Sequence, residues 1–107
     1  MNPRIESLEK MLDGPRDSAL LRFSLGNEYL KAGNPAKAAF CFQNAVDRDP
    51  HYSAAWKALG KALGESGDIP AALAAYEQGI TVAEARGDIQ AVKEMRVFMK
   101  RLSKPVA

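Results

Sequence analysis

Part of this chain overlays on itself after a shift of 34 residues, and no other feature limits the possible folds as tightly. With Ala19 onward laid over Ser53 onward, Leu25-Gly26 falls on Leu59-Gly60, Gly33 on Gly67, Ala38 on Ala72 and Phe42 on Tyr76. A period of this length holds one supersecondary unit that cannot bury its own apolar face. Copies must therefore stack on one another, and the chain reads as a short array.

The local pattern is helical throughout. Leu21, Leu25 and Tyr29 recur at steps of four, which puts them on one helix face. Gly33-Asn34-Pro35 then breaks the chain, with glycine suited to the left-handed position after a helix and proline to the first turn of the next. Ala38, Phe42 and Ala45 share a face of the second helix, which Asp49-Pro50 ends. Ser53 is the expected N-cap of a third helix carrying Trp56, Leu59, Ala62 and Leu63. Gly26, Gly60, Ala38 and Ala72 remove bulk where paired helices cross, and Phe42 and Tyr76 fill the space between layers. A bulky residue at Gly26 is expected to overpack that crossing, at about 1–3 kcal/mol.

Two units are fewer than the three or so that such stacks need, so the flanks have to help. Ile5, Leu8 and Leu12 form an apolar stripe over Pro3–Leu12, closed by Gly14-Pro15. The fourth repeat helix is expected to run from Ile69 to about Arg86, roughly 27 Å, before Gly87 ends it and Asp88 caps the next. Ile89, Val92, Met95, Met99 and Leu102 trace a stripe through a last helix that ends near Lys104-Pro105. Lys93-Glu94 stands 34 residues beyond Leu59-Gly60, so this helix is read as a cap and not as a third unit. The expectation is one all-α domain over 1–107: an N-terminal helix in 1–14, repeats at 19–52 and 53–86, and a capping helix at 88–104, six helices in all.

The two units resemble the tetratricopeptide repeat. The first carries Leu25, Gly26, Tyr29, Ala38, Phe42, Ala45 and Pro50 of that pattern, with Arg22 at the tryptophan place. The second carries Trp56, Leu59, Gly60 and Ala72, with Leu63, Tyr76 and Gly79 as softer matches and Glu84 where a proline would stand. The resemblance implies a right-handed α-α superhelix of two helix pairs. It also implies a protein–protein interaction module or adaptor that holds a partner's peptide or helix in its concave groove. The groove places fall on Leu20, Phe23, Asn27 and Leu30 in the first repeat and on Ala54, Lys57, Lys61 and Gly64 in the second. Some co-chaperones of the family grip a C-terminal carboxylate with a clamp of lysine, asparagine and arginine. Here Asn27 holds one clamp place, but Phe23 and Ala58 occupy two others, so that clamp is broken.

Charge refines the expected partner. Lys93, Arg96 and Lys100 follow one another at helical spacing on the last helix. If the superhelix brings them round, Lys57, Lys61, Lys93 and Arg96 form a basic floor beside Phe23, suited to an acidic segment or a free C-terminal carboxylate. The plainer reading is solvated lysines on exposed helix faces. A second function class is self-association, as monomer or weak homodimer, through the Ile5, Leu8, Leu12 helix or the Met99, Leu102 edge.

Several classes drop out. A net charge of +2 is too mild for a nucleic-acid binder, and the stacking aromatics of single-strand binders are lacking. Apolar runs of a few residues do not span a bilayer. The single histidine, His51, cannot build a metal site alone, and Cys41 has no nearby base to activate it. Neither a cofactor nor a catalytic constellation is expected. The opening Met1-Asn2-Pro3-Arg4-Ile5-Glu6 lacks the apolar stretch of a secretory signal, so a cytoplasmic location is the expectation.

Overall fold

Helix punctuation in this chain is done by a few polar side chains, some of which serve two helices at once. In a computed structural model describing residues 2–104, six helices are present among the described residues. They are α1 (Pro3–Glu9), α2 (Ala19–Lys31), α3 (Pro35–Arg48), α4 (Ser53–Glu65), α5 (Ile69–Ala85) and α6 (Ile89–Ser103). Gly33, Gly67 and Gly87 follow α2, α4 and α5 at φ of 77°, 93° and 73°, a region that favours glycine. The next residue in each case donates its N–H back into the helix just ended: Asn34 to Tyr29, Asp68 to Leu63 and Asp88 to Ala83, all at 2.9 Å. The side chains of the same three residues then cap α3, α5 and α6 by accepting from Lys37, Ala71 and Ala91 N–H groups. One polar residue thus closes one helix and opens the next.

The start of α4 departs from expectation. Ser53 is its first helical residue, and Tyr52 holds the cap position with no side-chain cap bond. The turn is held differently: Asp49 Oδ1 accepts the His51 N–H at 3.1 Å, and the Tyr52 ring packs on Phe23 with centroids 5.0 Å apart. Aromatic packing replaces the cap. The first helix is also shorter than its stripe. It ends at Glu9, and the chain turns through Asp13 at φ 62°, whose N–H donates to Asp17 Oδ2 at 2.8 Å.

Each helix packs on its chain neighbour, and α2–α4 and α4–α6 also meet, so α2, α4 and α6 make one layer and α3 and α5 the other. The two layers give a slab of 42 × 34 × 18 Å. Within each pair an aromatic ring sits on a glycine. A Cβ built at Gly26 would lie 2.5 Å from Phe42 Cε1, and one at Gly60 would lie 2.7 Å from Tyr76 Cε1. Phe42, Leu25 and Leu59 are fully shielded around these seats.

The last helix occupies the place of a first helix. Helix starts at 19, 53 and 89 are separated by 34 and then 36 residues, because α5 has 17 residues against 14 in α3 while the linker after it is one residue shorter. Counted from the helix start, Met95 falls where Leu25 and Leu59 stand, and all three are buried. Arg96 falls on the Gly26 and Gly60 place. An arginine there leaves no seat for another ring, and its guanidinium instead donates to Glu84 Oε2 of α5 at 3.2 Å. The ring-on-glycine seat of α2 and α4 is therefore not repeated in α6.

The apolar stripes proposed as dimer contacts are largely used internally. Ile5 is buried against Leu25 and Cys41, with Leu8 and Leu12 packed alongside. Met99 and Leu102 pack on the Tyr76, Ala83, Val92 and Met95 cluster, as does Phe98, which the stripe omitted. Ile89 lies outside that cluster and is 67% exposed, so it is not a core residue.

Where the first repeat lacks tryptophan, an ion-pair hub takes over. In the second repeat Trp56 Nε1 donates to the Pro50 carbonyl at 2.8 Å, tying α4 to the linker before it. In the first, Arg22 donates from Nε and Nη2 to Asp17 at 3.0 and 2.7 Å, and Arg48 of α3 adds a bond at 3.3 Å. Asp17, its side chain only 6% exposed, joins the linker before α2 to both helices of the pair. The Arg22 hydrogen bonds, the Asp13 N–H and the Arg48 charge hold its carboxyl well below the usual carboxylate range.

Two expectations follow. Replacing Gly60 by alanine gains about 1 kcal/mol of helix propensity but forces a contact with the Tyr76 ring that overpacking data put at roughly 1–3 kcal/mol. The variant should be less stable in denaturant titration, and adding Tyr76→Leu should recover part of the loss; a more stable Gly60→Ala protein would contradict the ring seat. For Asp17, the folded carboxyl titrates below its unfolded value of about 4, so its contribution is complete above that pH and fades as pH falls toward the folded value. Asp17→Asn should lower the melting temperature at pH 7 and flatten the acid limb of stability against pH. An unchanged acid limb would show that the hub contributes nothing.

Candidate functional site

The inner layer of α2, α4 and α6 presents the same turn positions three times, and these are the places at which the groove was expected. Counted from each helix start they align as Leu20, Ala54 and Gln90, then Phe23, Lys57 and Lys93, then Asn27, Lys61 and Val97, and lastly Leu30, Gly64 and Lys100. Leu20 is 62% exposed at the start of α2. Phe23 is half-buried, with its ring 5.8 Å from Phe42 and 5.0 Å from Tyr52, so much of its surface is spent on packing.

Two crevices run between successive inner helices. The first, of about 340 Å³ between α2 and α4, is lined by Asn27, Leu30, Lys31, Lys61 and Glu65. A second of about 280 Å³ between α4 and α6 shares Lys61 and Glu65 and adds Gly64, Phe98, Arg101 and Leu102. Its floor is the Tyr76 ring, whose hydroxyl is pushed up to a pKa of about 12 by burial. A smaller hollow nearer the helix starts holds Ala54, Lys57, Gln90 and Glu94.

The four cations expected to form one floor are divided in the structure. Lys57 reaches across to Glu94 of α6 at 3.6 Å, so its charge is already matched. Arg96 turns to α5 and pairs with Glu84, away from both crevices. Lys61 borders both crevices, and Lys93 is exposed on α6. Among the described residues neither forms an ion pair. Arg101 joins the lining, its guanidinium 6.0 Å from the centroid of Phe98. Glu65, Glu94, Phe98 and Arg101 were not among the expected groove residues. Counting α6 from the Gly87-Asp88 break, instead of extending the 34-residue period, brings Glu94, Phe98 and Arg101 into register with α2 and α4, while Glu65 ends α4 at the place of Lys31 in α2.

Other residues weighed for chemistry sit elsewhere. Cys41 is buried beside Ile5 and Leu25, and burial raises its thiol pKa, which keeps it protonated and inert at neutral pH. His51 is exposed in the α3–α4 linker, where its carbonyl accepts from Arg86 at 3.0 Å. No helix of the described residues is long and apolar enough to cross a membrane.

Comparison with known proteins agrees with this architecture. A family model described as tetratricopeptide repeat matches residues 23–89. A TPR repeat-containing protein of Pseudomonas aeruginosa is 52% identical over 100 residues, 94% of this chain and 95% of that one. The solution structure of a Bordetella parapertussis protein is 45% identical with a TM-score of 0.80, covering 96% of this chain and 90% of that one. The Sgt2 TPR domain from Aspergillus fumigatus superposes with a TM-score of 0.72 at 26% identity, over 96% of this chain and 72% of that one. Stacked helix pairs, ring-on-glycine seats and these relatives agree: the chain belongs to the tetratricopeptide-repeat family, whose members serve as scaffolds for protein–protein interaction.

Proposed function

We propose that the face made by α2, α4 and α6 receives an acidic segment, or a free C-terminal carboxylate, of a partner protein. The observation that carries this reading is Lys61, which stands at the junction of the two crevices with no acidic partner among the described residues. Lys93 and Arg101 extend the positive face along α6, and Asn27 offers an amide to the main chain of an extended ligand. Leu20 and Leu30 supply apolar contact on the α2 side, with the half-buried Phe23 between them along the helix. Arg96 is left out of the contact set because Glu84 holds it.

Magnitudes limit what these charges achieve. An exposed ion pair is worth about 0–1 kcal/mol, so the cations steer an acidic partner and set its register more than they hold it. Binding should therefore be sensitive to salt. Lys61→Glu combined with Lys93→Glu is expected to weaken binding of a glutamate-rich peptide by about tenfold or more, with helix content and melting temperature unchanged. Fluorescence anisotropy across a salt series measures both effects. Binding that ignores salt and survives the double charge reversal would rule out an electrostatic groove.

A further inference from the structure

The two crevices are repeat equivalents, yet their chemistry differs. Leu30 and Gly64 occupy the same place in successive units, as do Lys31 and Glu65. In the first crevice Leu30 packs against the core cluster that holds Phe42, and the lining is otherwise polar. In the second, Gly60 and Gly64 carry no side chain, so the lining reaches down to the Tyr76 ring and sideways to Phe98 and Leu102. A Cβ built at Gly64 would lie 3.4 Å from Leu102 Cδ2, which is contact distance, so at this point the two walls stand about one methyl group apart and a larger side chain at position 64 would close the crevice. The walls are fixed: Phe98 packs on Tyr76 with ring centroids 5.8 Å apart, and Leu102 rests on the α5–α6 core.

The rim is charged in a way that selects its occupant. Lys61 stands on the α4 wall and Arg101 on the α6 wall, and neither forms an ion pair among the described residues. Glu65, one turn beyond Lys61 on α4, repels a carboxylate at that end. A ligand carboxylate is therefore favoured beside Lys61 and Arg101 and disfavoured beside Glu65. An apolar side chain between the walls loses its water contact against two rings and a leucine.

From this geometry we infer that the α4–α6 crevice is an anchor site for one large aliphatic or aromatic side chain of a partner segment, flanked in the partner by carboxylates. The inference rests on the proposed groove and adds what the charges lack. They orient the segment, and the buried side chain supplies most of the affinity. The volume of about 280 Å³ suits one such side chain and not a packed helix.

Three synthetic peptides test this by anisotropy on the full chain: glutamates flanking a central leucine, the same with alanine, and the leucine peptide with glutamines. The leucine peptide should bind about tenfold or more tighter than the alanine one, and it should shift the Leu102 methyl resonances where the alanine peptide does not. Gly64→Met, which plugs the crevice, should reduce the leucine peptide to the alanine level. Equal affinity for the two acidic peptides overturns the anchor while leaving the charged groove standing. Failure of both acidic peptides to bind overturns the groove itself and the anchor with it. Undiminished leucine preference in a folded Gly64→Met protein would also overturn the anchor, because the leucine would then be seated elsewhere. Should that variant not fold, the Leu102 methyl shifts of the wild type decide alone, their absence counting against the anchor. A glutamine peptide that binds as well as the glutamate one would contradict the charged rim.

Discussion

The seat of an aromatic ring on a glycine is the contact on which the rest of this structure depends. Gly26 under Phe42 and Gly60 under Tyr76 let the helices of each pair approach until no room remains for a single methyl group. That approach fixes α2 on α3 and α4 on α5, Gly79 against Met95 does the same for α5 and α6, and the two crevices lie between the inner helices so held. Burying each ring also contributes stability at the point where it fixes geometry, so packing and groove shape cannot be altered independently.

The glycine seat is not repeated in α6. Arg96 takes the glycine place in α6, and its guanidinium donates to Glu84 of α5. The same helix supplies the second wall of the α4–α6 crevice through Phe98, Arg101 and Leu102. The helix that lacks the seat therefore still contributes to the inner face. At the opposite end, the short α1 covers Leu25 and Cys41, while Asp17 links the following linker to α2 and α3 by charge. Arginine and tryptophan serve matching purposes in the two repeats, each tethering an inner helix to the linker before it.

The inner face combines two kinds of contact with different ranges. Exposed lysines act over about a Debye length and weaken with salt, while an apolar crevice acts only on what enters it. Lys57 and Arg96 illustrate why sequence charge overstates groove charge: each is matched by a glutamate on a neighbouring helix, Glu94 and Glu84. Adjacent helices in such a stack bring opposite charges together across their seams, and only the cations that find no seam partner remain for a ligand.

The sequence by itself determined the repeat, the helix pairs and their punctuation, because those follow from period, glycine and proline placement, and capping residues within a few positions of one another. Leu25, Leu59, Phe42 and Tyr76 were legible as core because identical spacing recurs in both units. The register of α6 was not legible, since a longer α5 and a shorter linker after it together shift it by two residues and hide its likeness to α2 and α4. With that register went Phe98, Arg101 and Glu94, the glutamate that matches Lys57. Pairing across helices from distant parts of the chain, such as Lys57 with Glu94, depends on the rotation of one helix against another. Only the tertiary structure decided that, because the rotation is set by which side chains fill the space between layers and not by the residues of either helix alone.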